Sequence, residues 1–112
     1  MAASNEALVE AAFRYYLAQD RESAIALYAE DFSFTSPQDD HIDKAAFFER
    51  CFPTASRMSD QRFLHVTPAD ENLVFVYYEY DLTSGDTYRN IEAITLRDGL
   101  IRDVQVFFGG KV

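Results

Sequence analysis

From residue 73 onward the chain reads as strands. The runs 73–80, 88–96 and 100–108 are rich in β-branched and aromatic residues, and turn residues separate them, so they predict a three-stranded meander. A three-residue loop at Thr83-Ser84-Gly85 pairs Leu82 with Asp86, Tyr80 with Tyr88, Tyr78 with Asn90, and Val76 with Glu92. At Arg97-Asp98-Gly99 two turns compete. A two-residue Asp-Gly turn pairs Arg97 with Leu100; a three-residue turn with Gly99 left-handed pairs Leu96 with Leu100. The second keeps Leu100, Val104, Val106 and Phe108 on the side of Leu96, Ile94 and Glu92, and one coherent apolar face favours it. The predicted inner face is then Val74, Val76, Tyr78, Tyr80, Tyr88, Asn90, Glu92, Ile94, Leu96, Val104, Val106 and Phe108, with Glu92 opposite Val76 and Val104. The outer face carries Phe75, Tyr77, Glu79, Arg89, Ile91, Ala93, Thr95, Asp103, Gln105 and Phe107.

The first half has helical spacing instead. Ser4 is placed to cap a helix whose apolar positions are Leu8 or Val9, Ala12, Phe13, Tyr16 and Leu17. Asp20 caps a short second helix. Phe32, Phe34 and Ser36 share one side of a short strand that Pro37 ends. Gln38-Asp39-Asp40-His41 reads as a polar loop. Asp43 caps a third helix with Phe47, Phe48, Cys51 and Phe52 on its apolar side, and Pro53 stops it. Residues 54–60 read as a loop, and Phe63–Thr67 as a strand ended by Pro68. The predicted fold is α+β: three N-terminal helices packed on a strongly curved, mainly antiparallel sheet, forming a cone with an internal pocket. The whole chain, 1–112, is expected to be one domain.

Composition narrows the function classes. The formal net charge is −9, from 19 acidic and 10 basic residues, which argues against a nucleic-acid partner. A single cysteine, Cys51, allows no internal disulfide and fits a reducing compartment. The first residues carry no secretory pattern and no apolar run reaches membrane-spanning length, so a cytoplasmic protein with no membrane partner is expected.

At this point the chain resembles a known superfamily. The element order, Ile25-Ala26-Leu27-Tyr28-Ala29-Glu30-Asp31, Ser36-Pro37, Arg89-Asn90-Ile91-Glu92 and the closing Val106-Phe107-Phe108-Gly109 resemble the SnoaL-like branch of the nuclear transport factor 2-like fold. The resemblance implies a conical hydrophobic pocket and a homodimer through the outer sheet face. It covers ketosteroid isomerases, polyketide cyclases, epoxide hydrolases, dehydratases and binding modules, so it does not fix a reaction. Matched residue by residue to ketosteroid isomerases, the general base falls on Ser36, the oxyanion-hole tyrosine on Ala12, and the protonated second acid on Glu92. One of three survives, which speaks against that reaction. The Asp-Arg-Asp arrangement of the epoxide hydrolases needs an inward arginine, and Arg89 is predicted outside.

Candidate chemistry follows from these faces. Glu92, a carboxyl amid apolar neighbours, is the candidate general acid or base; the plain alternative is a core carboxyl bonded to a tyrosine or to Asn90. Asp40 and His41 are rim candidates for proton transfer, with a solvated loop as the alternative. Tyr78, Tyr80, Tyr88 and Asn90 are candidate ligand contacts. Ser36, Phe13, Tyr16, Phe34, Phe48, Val104, Val106 and Phe108 complete the expected lining. Cys51 reads as a small core residue, and His65 receives no role because its side of the strand is undecided. No metal site and no cofactor are expected. The expected ligand is a small hydrophobic molecule bearing a carbonyl or hydroxyl, bound with or without acid–base turnover; the alternative is a non-catalytic binding or dimerisation module. The expected dimer face is Phe75, Tyr77, Ile91, Ala93 and Phe107.

Overall fold

Capping residues start each helix where the sequence places them. The computed structural model describes residues 4–112. Ser4 Oγ accepts from the Ala7 N–H at 3.1 Å and opens α1, Asn5–Ala18. Gln19 closes it in a left-handed conformation, φ 58°, and its amide donates to the carbonyls of Tyr16 and Phe52, both at 2.8 Å. Asp20 caps α2, Arg21–Ile25, and Asp43 caps α3, Lys44–Ala46.

Pro53 does not stop the third helix; it changes its pitch. Proline has no N–H, and in an α-helix its ring would meet the carbonyl four residues back. The chain widens into a π turn at Phe47–Cys51, where the Phe52 N–H donates to Phe47 O, and then tightens into a 3-10 turn at Phe52–Arg57. Residues 54–57, expected as loop, therefore continue the helical wall.

Among the described residues six strands follow the order β2-β1-β6-β5-β4-β3, and of their pairings only β1–β6 is parallel. Their ranges are β1 Tyr28–Ser36, β2 Asp39–Asp43, β3 Met58–Asp70, β4 Leu73–Leu82, β5 Thr87–Arg97 and β6 Leu100–Lys111. Two expectations are corrected here. The polar loop at 38–41 is the end of a hairpin, with Ser36 opposite Asp39 and Phe34 opposite Ile42. The short strand at 63–67 is a thirteen-residue edge strand that runs through Pro68. An edge position tolerates a residue with no N–H to donate. Arg62 ties this strand to β4 by a two-pronged pair with Asp81, at 2.8 and 3.0 Å.

The turn at residues 97–100 is a further correction. Arg97 pairs with Leu100, so the turn has two residues, and Asp98 and Gly99 take φ 53° and 77°. Both angles belong to a tight hairpin turn whose twist matches its strands. The inner face nevertheless survives. Leu96 pairs with Ile101 but Thr95 pairs with Asp103, so β6 carries an extra residue at a bulge. That residue restores the parity: Ile94 lies opposite Val104, Glu92 opposite Val106 rather than Val104, and Asn90 opposite Phe108. Ile101 is buried to 1% exposure, while Leu100 is only half-buried. The β4–β5 register is the predicted one, with Tyr80 opposite Tyr88, Tyr78 opposite Asn90 and Val76 opposite Glu92.

Val74, Val76, Ile94, Leu96, Ile101 and Val104 form the sheet side of the core. Phe13 of α1 meets Phe63 and Tyr78 edge-on, with centroids at 5.3 and 5.0 Å. Phe32, Phe47, Phe48 and Tyr28 pack as a second aromatic cluster beneath α3. Among the described residues no helix is long and apolar enough to cross a membrane.

Candidate functional site

The curved sheet and the helical wall do not meet along their full length. Between them lies a cavity of about 630 Å³, within the range of about 300–1,000 Å³ usual for small-molecule sites. Its floor is apolar: Phe34, Phe47, Ile94, Ile101 and Val104 are all buried. The exposed residues Pro37, Gln38, Arg50, Thr54, Arg57 and Phe108 ring its opening.

Glu92 reaches this cavity from the middle of β5. Its side chain accepts a hydrogen bond from Tyr78 Oη to Oε2 at 2.6 Å. Asn90 Nδ2 donates to Tyr78 Oη at 3.1 Å. The donation from Asn90 occupies a lone pair of the tyrosine oxygen and leaves its proton for Glu92, so the chain Asn90–Tyr78–Glu92 has one direction. Oε1 makes no hydrogen bond among the described residues and is left to the cavity. Burial pushes the Glu92 carboxyl up to about 7, against the smaller opposing pull of the Tyr78 hydrogen bond. Arg102, the cation nearest to it in sequence on β6, is turned away and pairs with Asp31 at 3.2 Å. Burial also raises Tyr78 well above its ordinary value, with the Glu92 charge adding to the effect. Asn90 is buried, and its Oδ1 has no partner. An unpaired buried acceptor costs about 1–3 kcal/mol.

The helices supply a second polar group. Tyr16 Oη and Thr54 Oγ1 lie 2.8 Å apart, and Thr54 already donates to Cys51 O at 2.6 Å. The proton between the two hydroxyls is therefore the tyrosine's. Burial pushes Tyr16 up to about 12, with the Thr54 contact working the other way. Tyr16 lies one helical turn beyond Ala12, and both line the cavity. Beside the opening, Ser36 Oγ donates to Asp39 Oδ2 at 3.1 Å, and the Cys51 thiol points to the same oxygen at 3.6 Å. Burial first, and then Asp39, push the thiol up to about 11, which disfavours the thiolate that a nucleophile needs.

Of the expected site residues, Tyr78, Tyr80, Asn90, Ser36, Phe13, Tyr16, Phe34, Val104, Val106 and Phe108 face the cavity together with Glu92. Four others do not. Tyr88 stacks between Tyr80 and Phe108 at the sheet's end, with centroids 5.8 Å from each. Phe48 lies behind the wall under the Arg21 guanidinium, 5.4 Å from its ring. Asp40 and His41 bond each other in solvent, with side chains 91% and 69% exposed. The physical reason is the β1–β2 hairpin. His41 takes φ 50° at its bulge, and the hairpin turns Ser36 and Asp39 toward the cavity while Asp40 and His41 swing out. His65 pairs with Tyr77 and is exposed. Arg89, opposite Glu79, is not among the lining residues.

Sequence reasoning missed Tyr28, Arg50, Thr54, Arg57, Met58, Gln61 and Ile101 as lining residues. A signal existed for most of the wall. Phe47, Arg50, Cys51, Thr54, Arg57 and Met58 recur at helical spacing, but ending the helix at Pro53 hid the second half of the pattern. Among the described residues no three His, Cys, Asp or Glu side chains gather as a metal site would need.

Residues 9–104 match the family model described as the SnoaL-like domain. No curated protein matches the chain. Among solved structures, a protein from Kribbella flavida is 20% identical, over 90% of this chain and 83% of that one, with a TM-score of 0.80. A nuclear transport factor 2-like protein of unknown function from Cytophaga hutchinsonii is 19% identical over 95% and 91%, with a TM-score of 0.71. A computationally designed 17-OHP binder is 18% identical over 89% of each chain, also with a TM-score of 0.71. At these identities the likeness is one of fold.

Proposed function

The chain belongs to the SnoaL-like domain family, and from that premise we propose that it binds a hydrophobic small molecule in the cavity. The ligand carries a carbonyl or hydroxyl, and Glu92 is the group that exchanges a hydrogen bond or a proton with it. One observation carries this: the Asn90–Tyr78–Glu92 chain ends on a free Oε1 in an apolar chamber. A carboxyl held near 7 is available both as donor and as base around neutral pH. The unpaired Asn90 Oδ1 supports a functional origin, because an apolar residue at that place would avoid its cost. A designed protein of the same fold binds 17-OHP, which supports the cavity as a binding chamber. Ser36 stands where the ketosteroid isomerase match needs a base, so that particular reaction is not proposed.

The test is to purify the protein gently, identify any co-purified small molecule by mass spectrometry, and soak or co-crystallise it. A ligand oxygen beside Glu92 supports the reading. A cavity that takes up no apolar carbonyl or hydroxyl compound from a broad panel refutes it. Turnover separates the two forms of the proposal: Glu92→Gln abolishes a reaction but leaves simple binding largely intact.

A second surface belongs to the proposal. Phe75, Ile91 and Phe107 are 40, 45 and 55% exposed, and Tyr77, Ile91 and Phe107 lie in register across β4, β5 and β6. An apolar face of this kind supports a two-fold homodimer through the outer sheet face, with Ala93 beside Phe75 in the neighbouring row. A cytoplasmic setting is part of the same reading, supported by the lone, half-buried thiol of Cys51.

A further inference from the structure

The opening of the cavity carries local positive charge in a molecule that is acidic as a whole. Acidic residues outnumber basic ones 19 to 10, so a cation on this surface has many carboxylates to pair with. Lys44, Arg62, Arg97, Arg102 and Lys111 do so, whereas Arg14, Arg21, Arg50, Arg57 and Arg89 form no ion pair among the described residues. Of these five, Arg50 and Arg57 are the ones that line the cavity, and both are exposed at its mouth. They are seven residues apart on the wall that turns from π to 3-10 pitch around Pro53, and they lie on the same cavity-facing side as Phe47, Cys51 and Thr54. Among the described residues Asp39 is the only carboxylate on the lining besides Glu92, and one of its oxygens already takes the Ser36 hydroxyl and the Cys51 thiol. The rim therefore carries two positive charges against one negative charge. The polar groups of the interior include the Glu92–Tyr78 pair and the Tyr16 hydroxyl, with apolar residues such as Phe34, Ile94 and Val104 in the same lining.

We infer that the ligand is an amphipathic organic acid, with its anionic group held by Arg50 and Arg57 at the mouth and its carbonyl or hydroxyl end at Glu92. This rests on the cavity being the binding site and adds the chemical class of the occupant. A guanidinium presents paired N–H donors that match a carboxylate, and an exposed pair loses little hydration until a ligand seats between them. The chain's overall charge of −9 repels anions at long range. That field is screened beyond about 8 Å at physiological ionic strength, so the local pair governs the final approach. The arrangement also sets the direction of entry: the apolar body goes in first and the acid stays at the rim.

The test uses two fluorescent probes with the same ring skeleton, anilinonaphthalene sulfonate and its uncharged twin N-phenylnaphthylamine. Each is titrated against the full chain at low and high salt. The inference expects the anionic probe to bind about tenfold more tightly than the neutral one at low salt, the gain of a charge-assisted contact. That preference should shrink at high salt and vanish in the double variant Arg50→Gln/Arg57→Gln, which should bind the neutral probe as the wild type does. Equal affinity for both probes in the wild type overturns the inference while leaving the cavity as a binding site. A preference that survives in the double variant overturns it too, because the anion is then held elsewhere. If neither probe binds, the binding-site reading itself falls and takes the inference with it.

Discussion

Replacing Glu92 by glutamine should change how stability depends on pH. Burial raises the carboxyl from 4.5 to about 7 in the folded chain. A folded pKa above the unfolded one means the folded state binds the extra proton. The group's contribution is therefore complete below pH 4.5 and is lost as pH climbs through about 7. The rise corresponds to on the order of 3 kcal/mol, a large share of the ~5–15 kcal/mol that holds an ordinary domain together. Glutamine keeps the shape and can still accept from Tyr78, but it does not titrate. Urea unfolding of both proteins between pH 4 and 8 gives the comparison, because other titrating groups cancel in the difference. The wild type should lose on the order of 3 kcal/mol relative to Glu92→Gln across this range. A difference that stays flat with pH would show that the Glu92 carboxylate is solvated when folded, and the argument from burial would be wrong.

Four other substitutions probe separate parts of the account. Tyr78→Phe removes the donor that holds Glu92 down, so the carboxyl should titrate above 7, as read by carbon-13 NMR; an unchanged or lower value would contradict the hydrogen bond at Oε2. Ile101→Ala should cost about 2–5 kcal/mol in urea unfolding, and Leu100→Ala clearly less, because the two-residue turn sets Ile101 opposite Leu96 on the buried face. The reverse ranking would restore the three-residue turn. Phe107→Glu should sediment as a monomer where the wild type sediments as a dimer; a wild type that is already monomeric at high concentration removes the proposed interface.

Much of this protein is local. Ser4, Asp20 and Asp43 start helices because their side chains accept from backbone N–H groups three residues on. The β4–β5 register follows from strict alternation about a short loop, so Glu92, Tyr78 and Asn90 are brought together by sequence pattern alone. The rest needed neighbours distant in sequence. Parity alone favoured Leu96 opposite Leu100. The folded chain instead takes the tight Asp98-Gly99 turn and corrects parity with a bulge, where β1 docks in parallel and the Ile101 N–H donates to Leu27 O at 2.8 Å. No pattern within the meander encodes a strand some seventy residues earlier. Pro53 likewise signals a helix end, because a missing N–H is a local fact. Whether the chain breaks or changes pitch depends on what packs against it, here Tyr16 on Phe52 and the Gln19 amide on the Phe52 carbonyl. Asp40 and His41 looked like rim chemistry only while the hairpin that turns them outward was unseen. Sequence alone set the caps, the alternating faces and the acid among apolar residues. Packing between distant segments decided which of those faces enclose a cavity, and that placed Arg50 and Arg57 at its mouth.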